Sequence, residues 1–274
     1  MHPLLPYLAS IAAVIGPVAT LIGLIQSRGW LAGIGAALAC ISILAVLYAR
    51  SQRLRTAAAS IEIEGISIDA LNAANLRRRV SSRFFIQTVQ HDVTIDPVHL
   101  ATTWRYAGYC RVDSAAAFEF SVDSETSIPF NELDCYGFDL KRDPERKHAI
   151  RPVLIGPDSI SKKIALPFLE PLRTQEAFDI ELKCRLPAPF KVGVGYYLST
   201  LSFDQDTVGN CSVNLTFHGR QPEWVRVYEC ADGSGPKLVR NLTPAWQAAE
   251  SARYTDIAEN RYARSARVYL FRRG

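Results

Sequence analysis

Hydrophobic positions along this chain fall into two regimes. Up to Tyr48 they are nearly continuous, and further on they alternate with polar residues. The continuous part consists of two runs, Leu4–Gln26 and Trp30–Tyr48, with Arg28 the only charged residue in the first 49 positions. As helices, both runs are long enough to cross a hydrocarbon core about 30 Å thick. This predicts a transmembrane helical hairpin over residues 1–48. Arg50, Arg53 and Arg55 follow the second run, which places both termini in the cytoplasm by the excess of cations near the span ends. The expected location is therefore a membrane crossed more than once. Gly16, Gly29, Gly33 and Ala36 belong to small-residue faces at four-residue spacing. Such faces let membrane helices pack closely, within one hairpin or between chains.

Residues 49–80 read as a helical stalk, Ala- and Arg-rich at first and ending in Arg77-Arg78-Arg79, with a short strand signal at Ile61–Ile68. After it the period becomes two. Phe178, Ile180, Leu182, Cys184 and Leu186 alternate with Asp179, Glu181, Lys183 and Arg185, the pattern of a half-buried strand. Trp104–Val112, Phe118–Val122 and Val213–Phe217 repeat it. Further strands are predicted near Phe84–Ile95, Leu133–Leu140, Lys162–Pro167, Phe190–Phe203, Glu223–Cys230 and Ala266–Arg272, separated by turn-forming Asp, Gly and Pro clusters. Residues 81–243 are thus expected to form an antiparallel β-barrel or β-sandwich. Residues 244–274 are expected to add a basic C-terminal helix, to about Asn260, and a last strand.

Composition adds a redox argument. Of six cysteines, Cys110, Cys135, Cys184, Cys211 and Cys230 are scattered through the β region without a CxxC pair. Their odd number and apolar positions predict buried free thiols in a reducing compartment. Asn210-Cys-Ser212, Asn214-Leu-Thr216 and Asn241-Leu-Thr243 are glycosylation sequons that would matter only in an exported domain.

Catalytic patterns are missing from the sequence. The five histidines, His2, His91, His99, His148 and His218, follow no metal-ligand spacing, and neither a nucleophile elbow nor a phosphate-binding glycine loop is present. No enzyme activity, cofactor or metal is expected. Recognition chemistry is better represented. Arg105, Tyr106, Tyr109, Arg111, Tyr136, Tyr196, Tyr197 and Thr200 supply aromatic faces, guanidinium groups and a hydroxyl, the set that would stack on a base and hold phosphate.

Two N-terminal spans, a stalk and an alternating β region resemble the two-transmembrane, β-strand-rich effectors of bacterial cyclic-oligonucleotide anti-phage signalling (the SMODS-associating 2TM-β type). The resemblance is architectural and rests on Leu4–Gln26, Trp30–Tyr48, the arginines at 50, 53 and 55 and the alternating strands. It implies a multi-pass protein of the bacterial inner membrane whose β domain binds a cyclic nucleotide, homo-oligomerises and disrupts the lipid bilayer, without a nucleic-acid polymer as partner. The competing reading is a non-catalytic, membrane-anchored, immunoglobulin-like adaptor that docks a protein partner. A third is an exported envelope β domain, which disulfides would favour.

Overall fold

The computed structural model describes residues 61–68, 82–123, 128–158, 161–187, 193–231 and 235–273. All lie in the second of the two units into which the chain divides, Ser60–Gly274. Strands dominate them. A short hairpin, β1 (Ile61–Ile63) and β2 (Ile66–Ile68), precedes β3 (Phe84–Ile95), β4 (His99–Cys110), β5 (Ala115–Asp123), β6 (Asp134–Asp139), β7 (Val153–Leu154), β8 (Ser161–Leu172) and β9 (Ala177–Pro187). Then come β10 (Gly193–His218), β11 (Pro222–Ala231), β12 (Lys237–Leu242), β13 (Trp246–Ala248) and β14 (Ser251–Arg273). The main sheet runs β12-β11-β14-β10-β3-β4-β9-β6, with β13 attached to β14, and a second sheet runs β5-β8-β7.

One antiparallel ribbon organises the main sheet. β10 and β14 pair from Gly193 opposite Arg273 to His218 opposite Ser251. A straight strand of β14's length would reach about 75 Å at roughly 3.3 Å per residue. Instead the ribbon doubles back, and the Arg273 guanidinium donates to the His218 carbonyl at 3.4 Å. The turning point is built into both strands. Pairing with β14 lapses between Ser202 and Thr207, and Asn260 takes a left-handed φ of 51°, which asparagine tolerates better than most residues. Extra residues of this kind bend a strand and increase its twist.

Gln205 fixes the bend. Its carboxamide accepts from the Ile86 amide at 2.8 Å and donates to the Ile86 carbonyl at 2.7 Å. A side chain thereby takes the place of a neighbouring strand at the point where β10 has turned away, before β10 and β3 pair from Asn210 and Thr88 onward. That pairing is parallel.

Three apolar layers follow from this folding. β5 and β8 cover the inner face of β3, β4 and β9 through Phe84, Phe118, Phe120, Leu166, Phe168 and Phe178. The two ends of the ribbon close on each other and on β3 through Ile95, Leu215, Phe217, Val225, Tyr254 and Phe271. The β1–β2 hairpin lies on the outer side of β11 and β14, where Ile63 and Ile68 meet Cys230, Val268 and Leu270. Glu64 anchors that hairpin to Arg226 at 2.6 Å and accepts from the Tyr228 hydroxyl.

Several expectations are corrected. The main sheet is mixed, because β10 and β3 run parallel, and it ends in two edges, β12 and β6, so no closed antiparallel barrel forms among the described residues. The expected C-terminal helix is strand. Ala252, Tyr254 and Asp256 are buried in alternation with more exposed neighbours, and pairing with β10 overrides the helix preference of an Ala- and Glu-containing stretch. The only helix among the described residues is a 3-10 turn, Phe130–Glu132, and no helix there is long and apolar enough to cross a membrane. The described residues thus give no support to the expected transmembrane helices or to a multi-pass inner-membrane location. The runs Leu4–Gln26 and Trp30–Tyr48, the small-residue positions Gly16, Gly29, Gly33 and Ala36, and the helical parts of the stalk lie outside the described residues.

The thiol expectation changes as well. Cys135 on β6 and Cys184 on β9 stand directly opposite each other and form a disulfide, while Cys110, Cys211 and Cys230 remain buried thiols. Burial pushes the thiols of Cys211 and Cys230 up to about 11, which holds them as neutral apolar groups.

Candidate functional site

The eight residues picked from sequence do not converge. Arg105 lies on the outer face of β4 and is held by a two-point ion pair with Asp179, at 2.8 and 2.5 Å. Tyr109 stacks on Phe85 with centroids 4.8 Å apart, and Arg111 reaches the Asp204 carbonyl at 2.9 Å. Tyr136 stands edge-on to Phe138 at the far margin of the sheet. Tyr196 packs towards the β1–β2 layer, and Thr200 lies opposite Ala266.

Only Tyr106 and Tyr197 are brought together, inside the fold. The Tyr197 hydroxyl meets His91 Nδ1 at 3.0 Å, and the Tyr106 hydroxyl meets His91 Nε2 at 3.3 Å. All three side chains are buried. A neutral imidazole can donate through one nitrogen and accept through the other, so both hydroxyls are satisfied by one ring. Burial, reinforced by the charge of Arg261, holds His91 down at about 3. Burial likewise raises both phenols. This is a sealed polar bridge between two cores.

The accessible chemistry lies elsewhere, along the flank where the folded sheet stays open. One lip is β12, whose residues are exposed from Lys237 to Asn241. It pairs with β11 on one side and with no strand on the other among the described residues. The opposite lip is the part of β14 between its pairing with β13, which ends at Arg253, and with β11, which begins at Ser265. Leu238 is 47% exposed and Ile257 62% exposed on these two lips. Arg240 spans the gap and donates to the Ile257 carbonyl at 3.0 Å. The other sheet edge differs. β6 is covered by a reciprocal backbone pair between Gly137 and Ile150, at 2.9 and 2.8 Å.

Strand register decides what faces inward at this flank. Lys237, Glu229, Arg267 and Ser199 stand in one row across β12, β11, β14 and β10; Arg240, Val227, Tyr269 and Tyr197 form the next. From the facing layer, Asp256 accepts from Arg267 Nη1 and from the Tyr269 hydroxyl, both at 2.8 Å. Burial opposes the charge on Arg267, but the Asp256 carboxylate outweighs it and raises the arginine's pKa. Arg261 is anchored differently, by the Ser199 carbonyl at 2.7 Å and the Ser265 hydroxyl at 3.2 Å. Burial lowers its pKa.

Sequence reading missed this flank. Lys237-Leu-Val-Arg-Asn-Leu242 is a short apolar stretch between a Gly/Pro turn and Pro244, too brief to show a period. Its signal was the turn chemistry on either side. Near the meeting ribbon ends a shallow cleft of about 550 Å³ is lined by Arg220, Gln221, Glu223 and Gln247, among others. Gln221 fills part of it by donating to the Ala248 carbonyl. No group of three or more His, Cys, Asp or Glu side chains is placed to hold a metal among the described residues.

No protein-family model matches the chain, and no curated protein matches it. Among solved structures, an M1 zinc metallopeptidase from Deinococcus radiodurans is similar at 11% identity and a TM-score of 0.42, covering 73% of this chain and 45% of that one. A point mutant of an M1 zinc metallopeptidase from the same organism is similar at 12% identity and a TM-score of 0.41, with 69% and 42% covered. This chain therefore spans less than half the length of either. Likeness at this level carries no argument about activity.

Proposed function

We propose that the β domain is a non-catalytic recognition module that captures an extended segment of a partner protein by adding it as a strand along β12. The uncovered edge of β12 carries this reading, set against the covered edge of β6. An edge strand offers a row of backbone donors and acceptors, and proteins that do not use such an edge usually cover, shorten or charge it. Here the edge strand carries two cations, Lys237 and Arg240, but it stays uncovered among the described residues and the lips also expose Leu238, Val239 and Ile257.

Charge defines the partner segment. β12 contributes Lys237 and Arg240 and no carboxylate, so the complementary segment alternates apolar residues with acidic ones. Backbone pairing supplies affinity in this mode, and alternate side chains supply selectivity. The Cys135–Cys184 disulfide favours an oxidising compartment as the place of encounter. A cyclic-nucleotide site draws less support, because Arg105 is committed to Asp179 and Tyr106 and Tyr197 to His91.

Selection of displayed extended peptides on the whole chain tests the proposal. Acidic–apolar sequences should be enriched, and Val239→Glu should weaken them at least tenfold by placing a carboxylate against the acidic segment on the docking edge. Enriched peptides indifferent to Val239→Glu and Leu238→Glu would contradict it.

A further inference from the structure

Inside the flank, two buried arginines face a carboxylate that neither of them holds closely. Arg267 has a side chain only 8% exposed, and its Nε has no hydrogen-bond partner. The Arg261 side chain is 1% exposed, with no carboxylate closer to it than Glu229 among the described ion pairs. Glu229 Oε1 stops 3.6 Å from Arg267 Nε and 3.9 Å from Arg261 Nε, and its side chain is 33% exposed, towards the opening. Lys237 lies next to it in register on the free edge. Across the mouth, Arg240 Nη2 is 3.0 Å from Asp256 Oδ1, yet misaligned for a hydrogen bond, and that oxygen is left unsatisfied.

Three arginines, Arg240, Arg261 and Arg267, thus share two carboxylates, and Lys237 stands beside them in register. A buried guanidinium nitrogen without an acceptor is costly, and a buried charge is tolerated when it is paired with good geometry. Glu229 reaches from β11, directly opposite Arg267 on the neighbouring strand. From there it neutralises both arginines without completing a hydrogen bond to either.

We propose that this row is an oxyanion site, built to take a carboxylate or phosphate group between Arg267, Arg261 and Lys237, with Glu229 as the internal group that the incoming anion displaces. The proposal rests on the strand-addition reading only for the source of the anion, an acidic side chain of the docked segment. Its chemistry stands on β11, β12 and β14 themselves. Planar guanidinium groups suit both carboxylate and phosphate oxygens, and a site with excess positive charge and little exposure to solvent binds them more strongly than a surface pair does.

Inorganic phosphate is the probe. Titrated into the full chain at low ionic strength and followed by calorimetry, it should bind the Glu229→Gln variant at least tenfold more tightly than the wild type, because the internal competitor has gone. Adding Lys237→Gln, an exposed change that leaves the core intact, should reverse most of that gain. Equal phosphate affinity of the wild type and Glu229→Gln, with both unfolding cooperatively, would overturn the proposal. So would a gain that Lys237→Gln does not touch. A glutamate-containing peptide that displaces phosphate identifies the partner segment as the source. A peptide that protects β12 without displacing phosphate contradicts that source. Loss of peptide binding with phosphate binding intact fails the strand-addition reading alone.

Discussion

Phe217 and Phe271 meet edge to face with ring centroids 5.0 Å apart, although they occupy opposite ends of the β10–β14 ribbon. Their contact records the folding of one long ribbon into two facing layers. Phe217→Ala should therefore cost about 3–5 kcal/mol, the usual loss for a large aromatic in a packed core, and urea unfolding measures it. A loss below about 1 kcal/mol would mean that the layers are not closed there.

The bend has its own test. Gln205→Ala leaves both the Ile86 amide and the Ile86 carbonyl without the partners they have now. An expected loss of about 1–3 kcal/mol follows from stranding buried backbone groups. Gln205→Glu should do no better, since a carboxylate cannot donate to the Ile86 carbonyl. Chemical denaturation of the two variants separates this clamp from a passive surface residue.

Acid should destabilise the domain through His91. Its pKa in the folded state, about 3, lies below the ordinary value of 6.5, so the unfolded chain binds the proton first as pH falls. The neutral ring's contribution is complete above pH 6.5 and is lost progressively on acidification towards pH 3. At about 1.4 kcal/mol per pH unit, the cumulative loss is on the order of a few kcal/mol. His91→Gln should lower stability at neutral pH and flatten the slope between pH 6.5 and 4. An unchanged slope in the variant would assign the acid sensitivity to other groups.

Gly137 admits no side chain. A Cβ there would stand 2.2 Å from Leu166 Cδ2 and 2.5 Å from the Glu181 carbonyl oxygen. Gly137→Ala should cost at least about 1–3 kcal/mol, as overpacking does. Thermal unfolding reads that loss directly.

Much of the β region was legible because alternation reports which face of a strand is buried. The Phe178–Leu186 series is an example: all five of its apolar positions are buried in β9. Alternation does not report which strand lies alongside, so neither the parallel β10–β3 pairing nor the doubling of the ribbon could be read. The stretch after Pro244 misled for a related reason. Ala248, Ala249 and Glu250 favour helix locally, and only the pairing of Ser251–Arg273 with β10 decides otherwise. Cys135 and Cys184 are separated by 49 positions, a spacing without meaning until β6 and β9 pair. The flank was hidden most completely. Lys237, Glu229, Arg267 and Arg261 come from three strands and become one cluster only through register and the bend.

The disulfide gives a chemical check on compartment and fold together. Alkylation of the denatured, unreduced protein should leave Cys135 and Cys184 unlabelled, and reduction should lower stability by about 2–4 kcal/mol. Labelling of both residues without prior reduction would remove the argument for an oxidising compartment.

Strand addition at β12 is most directly tested by amide hydrogen exchange across residues 237–242, with and without a selected acidic–apolar peptide. Fast exchange is expected at the outward-facing amides of the free chain, and strong protection on binding, confined to β12 and its flank. Protection centred instead on the Arg220–Gln247 cleft, or none along β12 with the peptide bound, would contradict it.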